Sequence, residues 1–202
     1  MKLYYLQGAC SLAVHIVLEW IGKPYASQAV SREELKQAEF LALNPLGSAP
    51  AFTDGDLCLT QSSAILQYLA DKYPKSQLLS QDLVERAQTL MWLGLINSDI
   101  HRHYGLLFGA PMYAQHESCQ KELQSNAVRR LKQFYAVINQ QLADKDYLVG
   151  KRSIADAYLY VTLRWAQRAD IDLSDFEHLP RFFALLHQDD GVQAALAAEG
   201  LK

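Results

Sequence analysis

The stretch LQGACSLAVHIV, residues 6–17, decides how the N-terminal part of the chain folds. The apolar and aromatic run that leads into it, residues 2–6, predicts a short β-strand. Residues 7–9 form a corner, and residues 11–21 are apolar at almost every position, which predicts a helix buried on most sides. Cys10 therefore lies at the junction of a strand and a helix.

The elements that follow predict a small structure of layered strands and helices. Turn residues separate each element from the next. In order, the sequence predicts a strand at 25–30, a charged and weakly helical stretch at 32–43, a hairpin turn at 54–56 with its return strand at 57–59, and a helix from Ser62 or Ser63 to 73–74.

The spacing of the hydrophobic residues changes after a polar connector at residues 75–81, and the pattern beyond this connector is typical of helices. The predicted helices cover residues 82–108, 117–143, 153–169 and 179–188, with a short segment from 192. We therefore predict an α/β domain at 1–76 and an all-α domain at 82–202. Ser153 and Asp156 have the spacing of a capping box, which starts a helix.

Composition narrows the classes of function. The chain has 202 residues and a formal net charge of -3, which gives no general attraction for nucleic acid or anionic lipid. No N-terminal signal pattern is present, and no apolar run reaches the roughly 20 residues that span a bilayer. The three cysteines have neither disulfide nor metal-ligand spacing, so we expect a cytoplasmic protein without a metal, a membrane partner or a nucleic-acid partner.

Cys10 is the first candidate for chemistry. A helix beginning at Ser11 would point its free N–H groups and positive dipole at this residue, which would lower the pKa of the thiol. Ala13 stands where a C-x-x-C pair would have its second cysteine, so the single thiol could pair only with an external one. The alternative is that Cys10 is a small buried apolar residue.

Three further positions suggest a binding site for an extended molecule with carboxylates. A cis bond between Ala49 and Pro50 would leave the backbone of Ala49 free to pair with a peptide, whereas a trans proline would simply begin a strand. The start of the helix at residues 61–63 could bind a carboxylate or could only be capped. Lys36 could reach a second carboxylate or could be solvated surface.

These features together resemble the glutathione transferases, specifically the bacterial beta class, over essentially the whole chain. The motifs that carry the resemblance are KLYYLQGACSLA (2–13), LNPLGSAPA (43–51), QSSAILQYLAD (61–71), IADAYL (154–159) and AEGLK (198–202). The resemblance implies a thioredoxin-like N-terminal domain of order βαβαββα, with a mixed four-stranded sheet, followed by a helical-bundle domain.

The resemblance also implies the roles of individual residues. Cys10 and His101 would be catalytic, with Cys10 in contact with the glutathione sulfur or in a mixed disulfide with it, and His101 as a base or hydrogen-bond donor. The glutathione-binding residues that it implies are Ser11, Lys36, Ala49, Pro50, Gln61, Ser62 and Arg102.

Three positions depart from the pattern of the class. Gln61 stands where Glu is frequent, and Arg102 replaces Lys but keeps the positive charge. Gly94 stands where an Asn of the neighbouring subunit usually contributes, which puts that contact between subunits in doubt.

We therefore predict a glutathione S-transferase, with glutathione as co-substrate and with a detoxifying role. It would conjugate glutathione to small hydrophobic electrophiles, or exchange thiols and disulfides through Cys10, with thiol transferase or peroxidase side activity. We expect a homodimer. The alternative is a glutathione-transferase-like binding or regulatory protein without turnover. The sequence does not identify the electrophile, whose pocket would involve Tyr104, Phe108, Tyr113, Tyr158 and Trp165.

Overall fold

The computed structural model describes all 202 residues. The N-terminal part has the predicted order of elements, and a 3-10 turn at Glu34–Lys36 precedes its second helix. The strands and helices are β1 (Lys2–Tyr5), α1 (Ser11–Ile21), β2 (Ala26–Ala29), α2 (Ala38–Leu41), β3 (Ala51–Asp54), β4 (Leu57–Thr60) and α3 (Ser62–Lys72).

The four strands form one sheet in the order β2-β1-β3-β4, with β1 parallel to β2 and the other pairs antiparallel. Leu3 lies opposite Phe52 in this sheet, and both side chains are fully buried in the core that α1 and α3 share. Tyr4 points to the opposite face because side chains alternate along a strand, and there it packs edge-on against Phe40 of α2. The predicted mixed sheet and fold class are confirmed.

The rest of the chain is helical. Its helices are α4 (Leu83–Gly94), α5 (His101–Phe108), α6 (Ala110–Tyr113), α7 (Glu117–Gln141), α8 (Ile154–Arg168), α9 (His178–His187) and α10 (Asp190–Ala198). None of them has both the length and the apolar character needed to cross a membrane.

The single helix predicted for residues 82–108 is interrupted. A π-helical turn at Leu95–Ile100 separates α4 from α5, and the chain continues through it without a loop. Asp82 is the N-cap of α4, where its carboxylate accepts hydrogen bonds from the N–H groups of Val84 and Glu85, both at 3.0 Å. A π turn shifts the register of the residues that follow it, and such turns are frequent at functional sites.

Helix α8 is the most deeply buried element and begins with the predicted capping box. The carboxylate of Asp156 accepts from the backbone N–H and the hydroxyl of Ser153, at 2.8 and 2.7 Å, and from the N–H of Leu148 at 2.9 Å. Burial raises the pKa of Asp156 to about 6, and these hydrogen bonds oppose the rise. One fully buried side chain thus fixes both the start of α8 and the preceding loop.

The segment after α10 packs against the N-terminal corner. The Glu199 carboxylate lies 3.0 Å from Nδ1 of His15 and accepts from the N–H of Gly8 at 2.8 Å, while Gln7 donates to the Glu199 carbonyl. His15 and Glu199 are both fully buried at their side chains. Residues near the two ends of the sequence therefore hold the corner beside Cys10 in place.

We expect Asp156→Ala to lower the free energy of unfolding by about 2–4 kcal/mol, because two buried N–H groups lose their acceptor. Chemical denaturation monitored by circular dichroism measures this change. Asp175→Ala removes an exposed carboxylate as a control and is expected to change stability by less than about 0.5 kcal/mol. Equal effects of the two substitutions would contradict the assignment.

Candidate active site

The corner between β1 and α1 is built by its own backbone and by Ser11. Gly8 has a φ of +67°, which a residue with a side chain adopts only with strain. The Ser11 hydroxyl donates to the Leu6 carbonyl at 3.1 Å and accepts from the Leu6 N–H at 3.3 Å. This side chain is fully buried and closes the corner, while the role of Ser11 in glutathione binding stays a prediction.

Cys10 is the N-cap residue of α1, as predicted, but its environment differs from the expectation. The residue is only 8% exposed, and its thiol lies 3.6 Å from the carbonyl oxygen of Ala49. Burial raises the pKa of the Cys10 thiol, although Ser62, the N–H groups of Cys10 and Ser11, and Tyr158 each oppose the rise. The predicted lowering is therefore wrong, since the lost hydration outweighs the helix N-terminus.

The peptide bond between Ala49 and Pro50 is cis, which decides between the two alternatives that the sequence left open. Ala49 is half-buried beside Cys10, and its N–H makes no backbone hydrogen bond. Its carbonyl contacts only the weakly donating thiol of Cys10. The backbone of Ala49 thus offers one donor and one acceptor next to the sulfur.

The start of α3 lies close to Cys10, because its first residue, Ser62, affects the ionisation of the thiol. Gln61, not a serine, is the N-cap residue, and its side chain makes no capping bond. Its φ of +69° is unusual for a residue other than glycine, and such backbone strain concentrates at ligand sites. The predicted capping by Ser62 or Ser63 is corrected, because both residues lie inside the helix.

The Ser62 hydroxyl is buried and has no hydrogen-bond partner. It nevertheless lies near enough to Cys10 and Tyr158 to oppose the rise in their pKa values. The first N–H groups of α3 also lack a cap, so the helix presents free donors at this end. This arrangement suits an anion such as a carboxylate.

His101 is the first residue of α5, directly after the π turn. Its Nδ1 lies 2.6 Å from the Tyr158 hydroxyl, and its ring packs against Trp165 at 5.1 Å between centroids. Burial lowers the pKa of His101, which favours the neutral imidazole. The role of Tyr158 was missed from sequence, where it was one of several aromatic residues at helical spacing.

Lys36 and Arg102 make no recorded contact with the residues around Cys10. Both side chains are exposed, Lys36 at the end of the 3-10 turn and Arg102 one residue after His101. Neither forms an ion pair or a side-chain hydrogen bond within the chain.

A row of aromatic rings leads from His101 to the surface. Trp165 packs against His101 and against Tyr104, and Tyr104 stacks on Phe108 at 5.6 Å between centroids. Phe108 is 52% exposed, and Tyr113 of α6 is exposed as well. The cluster around Cys10 therefore adjoins an apolar aromatic surface.

Comparison with known proteins identifies both halves of the chain. Residues 1–71 match the family model "Glutathione S-transferase, N-terminal domain", and residues 99–188 match "Glutathione S-transferase, C-terminal domain". Glutathione S-transferase GST-4.5 of Xanthomonas campestris pv. campestris is 39% identical over 203 residues, with both chains fully covered.

Solved structures agree with this result. A glutathione S-transferase from Xylella fastidiosa has a TM-score of 0.95 and 45% identity, covering 100% of this chain and 99% of its own. A sphingomonad glutathione S-transferase complexed with glutathione has a TM-score of 0.88 and 34% identity, and a bacterial beta class enzyme from Sphingomonas chungbukensis has 0.89 and 33%. The last two comparisons cover both chains completely.

We expect the pH midpoint for alkylation of Cys10 to lie above the value of about 8.5 for an ordinary thiol. Ser62→Ala should raise it by about a further 0.5–1 unit, because the hydroxyl favours the thiolate. Peptide mass spectrometry after timed reaction with iodoacetamide measures the rate at Cys10 over a pH series. Ser63→Ala is the matched control, and a midpoint below 8.5 in the unmodified protein would contradict the assignment.

Proposed function

The chain belongs to the glutathione S-transferase family, and from this premise we propose that it binds glutathione with the sulfur of the tripeptide beside Cys10. The observation that carries the proposal is the buried Ser62 hydroxyl, which has no partner and lies near the Cys10 thiol at the uncapped start of α3. A buried polar group without a partner costs free energy unless a ligand satisfies it.

Glutathione would lie extended across three elements. The γ-glutamyl carboxylate would accept from the start of α3, where Gln61 and Ser62 offer donors. The cysteinyl residue would pair with the backbone of Ala49, next to Pro50, in the manner of an added strand. Lys36 and Arg102 are exposed cations without partners, and they would meet carboxylates at the rim.

Two reactions fit this arrangement. In exchange, the Cys10 thiolate attacks one sulfur of glutathione disulfide, so that a new S–S bond forms, the old one breaks and one glutathione leaves as thiolate. In conjugation, the glutathione thiolate attacks an electrophile bound on the aromatic surface that includes Phe108 and Tyr113. A cysteine at this corner favours exchange, with conjugation as the weaker activity.

We further propose that the protein is a beta class homodimer. Helix α4 carries exposed apolar residues at helical spacing, Val84, Ala87 and Met91, and this stripe continues to Gly94. A second copy would cover the stripe. Gly94 offers no side chain to a partner, so the contact that an Asn at this position would make between subunits would be missing.

We also propose that residues 1–76 form the glutathione-binding domain. Residues 82–202 would form a helical domain that carries the second-substrate pocket. A cytoplasmic, detoxifying role is proposed from the cysteine usage and from the family.

Treatment with glutathione disulfide is expected to add one glutathione to the protein, and Cys10→Ala is expected to abolish the addition. Intact mass and peptide mapping measure it. Cys58→Ala and Cys119→Ala remove the exposed thiols as controls and should leave the adduct in place. An adduct found only at Cys58 or Cys119 would overturn the proposed role of Cys10.

Val84→Lys together with Met91→Lys is expected to convert a dimer into a monomer, because four charges would meet at the interface of two copies. These side chains are 66% and 59% exposed in the single chain. Light scattering at micromolar concentration measures the mass. Val137→Lys, at a position 54% exposed on α7, is the control. A monomeric mass of the unmodified protein would exclude the dimer.

A further inference from the structure

Glu199 holds the turn that leads into Cys10. Its carboxylate accepts from the N–H of Gly8 at 2.8 Å, and the Trp165 indole donates to the carbonyl of the same glycine at 2.9 Å. Side chains from the helical part of the chain thus hold the peptide groups on both sides of Gly8. Because Gly8 stands two residues before Cys10, its orientation directs the backbone that carries the sulfur.

The other oxygen of the Glu199 carboxylate contacts the helix that follows Cys10. It lies 3.0 Å from Nδ1 of His15, a residue in the middle of α1, and both side chains are fully buried. Tyr5, the last residue of β1, packs against the His15 ring at 5.3 Å between centroids. One carboxylate therefore joins the turn before Cys10 to the helix after it.

The contacts of the Cys10 side chain do not fix the sulfur by themselves. The thiol lies 3.6 Å from the carbonyl oxygen of Ala49, and a thiol is only a weak hydrogen-bond donor. Cys10 is the N-cap residue of α1, but its side chain makes no capping bond. The buried position of the sulfur therefore depends on the backbone on either side of it.

We propose that Glu199 is a positioning residue for Cys10. By holding the Gly8 turn against α1, it keeps the sulfur buried beside the Ala49 carbonyl. There the thiol is shielded from small reagents in solution, yet it faces the backbone that pairs with glutathione. Glu199 thus makes the thiol selective for a disulfide bound in the site, and this inference rests on the proposed exchange reaction of Cys10.

Two substitutions separate the geometry of Glu199 from its charge. Glu199→Leu removes both contacts, whereas the amide oxygen in Glu199→Gln can still accept from the Gly8 N–H. The amide NH2 can donate to Nδ1 of His15, because Nε2 of that ring has no hydrogen-bond partner and a neutral imidazole can carry its proton there. Glu199→Gln therefore preserves the position of the turn without the charge.

The opposite end of α10 provides a matched control. Glu199 directly follows α10, and Asp189 directly precedes it. The Asp189 carboxylate accepts from the indole of Trp20, near the end of α1, at 2.6 Å. Trp20→Phe thus removes a hydrogen bond between the same two helices, but far along α1 from Cys10.

The experiment measures two rates at Cys10 by peptide mass spectrometry, alkylation by iodoacetamide and addition of glutathione from glutathione disulfide. We expect Glu199→Leu to speed alkylation, because the sulfur becomes exposed, and to slow addition, because the sulfur no longer faces the site. The ratio of addition to alkylation should fall at least about tenfold, since a misplacement of about 1 Å can cost about a hundredfold in rate. Glu199→Gln and Trp20→Phe should keep the ratio of the unmodified protein.

An unchanged ratio in Glu199→Leu would overturn the proposal. An equal fall in Trp20→Phe would overturn it as well, because Glu199 would then act only through stability, and an equal fall in Glu199→Gln would assign the effect to charge. If Glu199→Leu does not fold, Glu199→Asp replaces it, since its shorter side chain withdraws the carboxylate from Gly8. If the unmodified protein gains no glutathione at Cys10, the proposed function fails, whereas the alkylation rates still test Glu199 without glutathione.

Discussion

The removal of the Cys10 sulfur from water is the constraint on which the rest of the site depends. A buried thiolate loses its hydration, and the N–H groups at the start of α1 do not compensate for that loss. The groups that counteract the rise in its pKa are hydroxyls and backbone N–H groups, none of them charged. Reactivity is therefore controlled by a few oriented dipoles around a buried sulfur, where each dipole has a larger effect than it would in solution.

Helix α8 organises these dipoles. Its start is fixed by Asp156, and Tyr158 and Trp165 follow at positions seven residues apart, which lie on one face of a helix. Tyr158 bonds His101, while the Trp165 indole donates to the Gly8 carbonyl at 2.9 Å. A single buried helix thus holds the histidine on one side and the corner of the first strand on the other.

Local patterns in the sequence were enough to predict most of the helices and strands, whereas the mixed four-stranded sheet was implied by the family resemblance. The limits of α1 follow from its apolar run, and the capping box of α8 follows from the spacing of two residues. The site was only partly predictable, because its decisive contacts join distant residues. Tyr158 and His101 are 57 positions apart in the sequence. A buried tyrosine at helical spacing gives the same sequence pattern whether its hydroxyl forms a hydrogen bond or its ring only packs in the core. The π turn and the N-cap position at Gln61 likewise carry no local sequence signal that would have predicted them.

The hydrogen bond between Glu199 and Gly8 affects how the protein folds during translation. The Glu199 carboxylate satisfies the N–H of Gly8 from 191 positions further along the chain. During translation the corner is made early, but its acceptor is added only after α10 has been synthesised. The nascent N-terminal domain therefore emerges from the ribosome with this donor and His15 still unpaired, and the thiol pocket acquires its final shape only after the helical domain has docked.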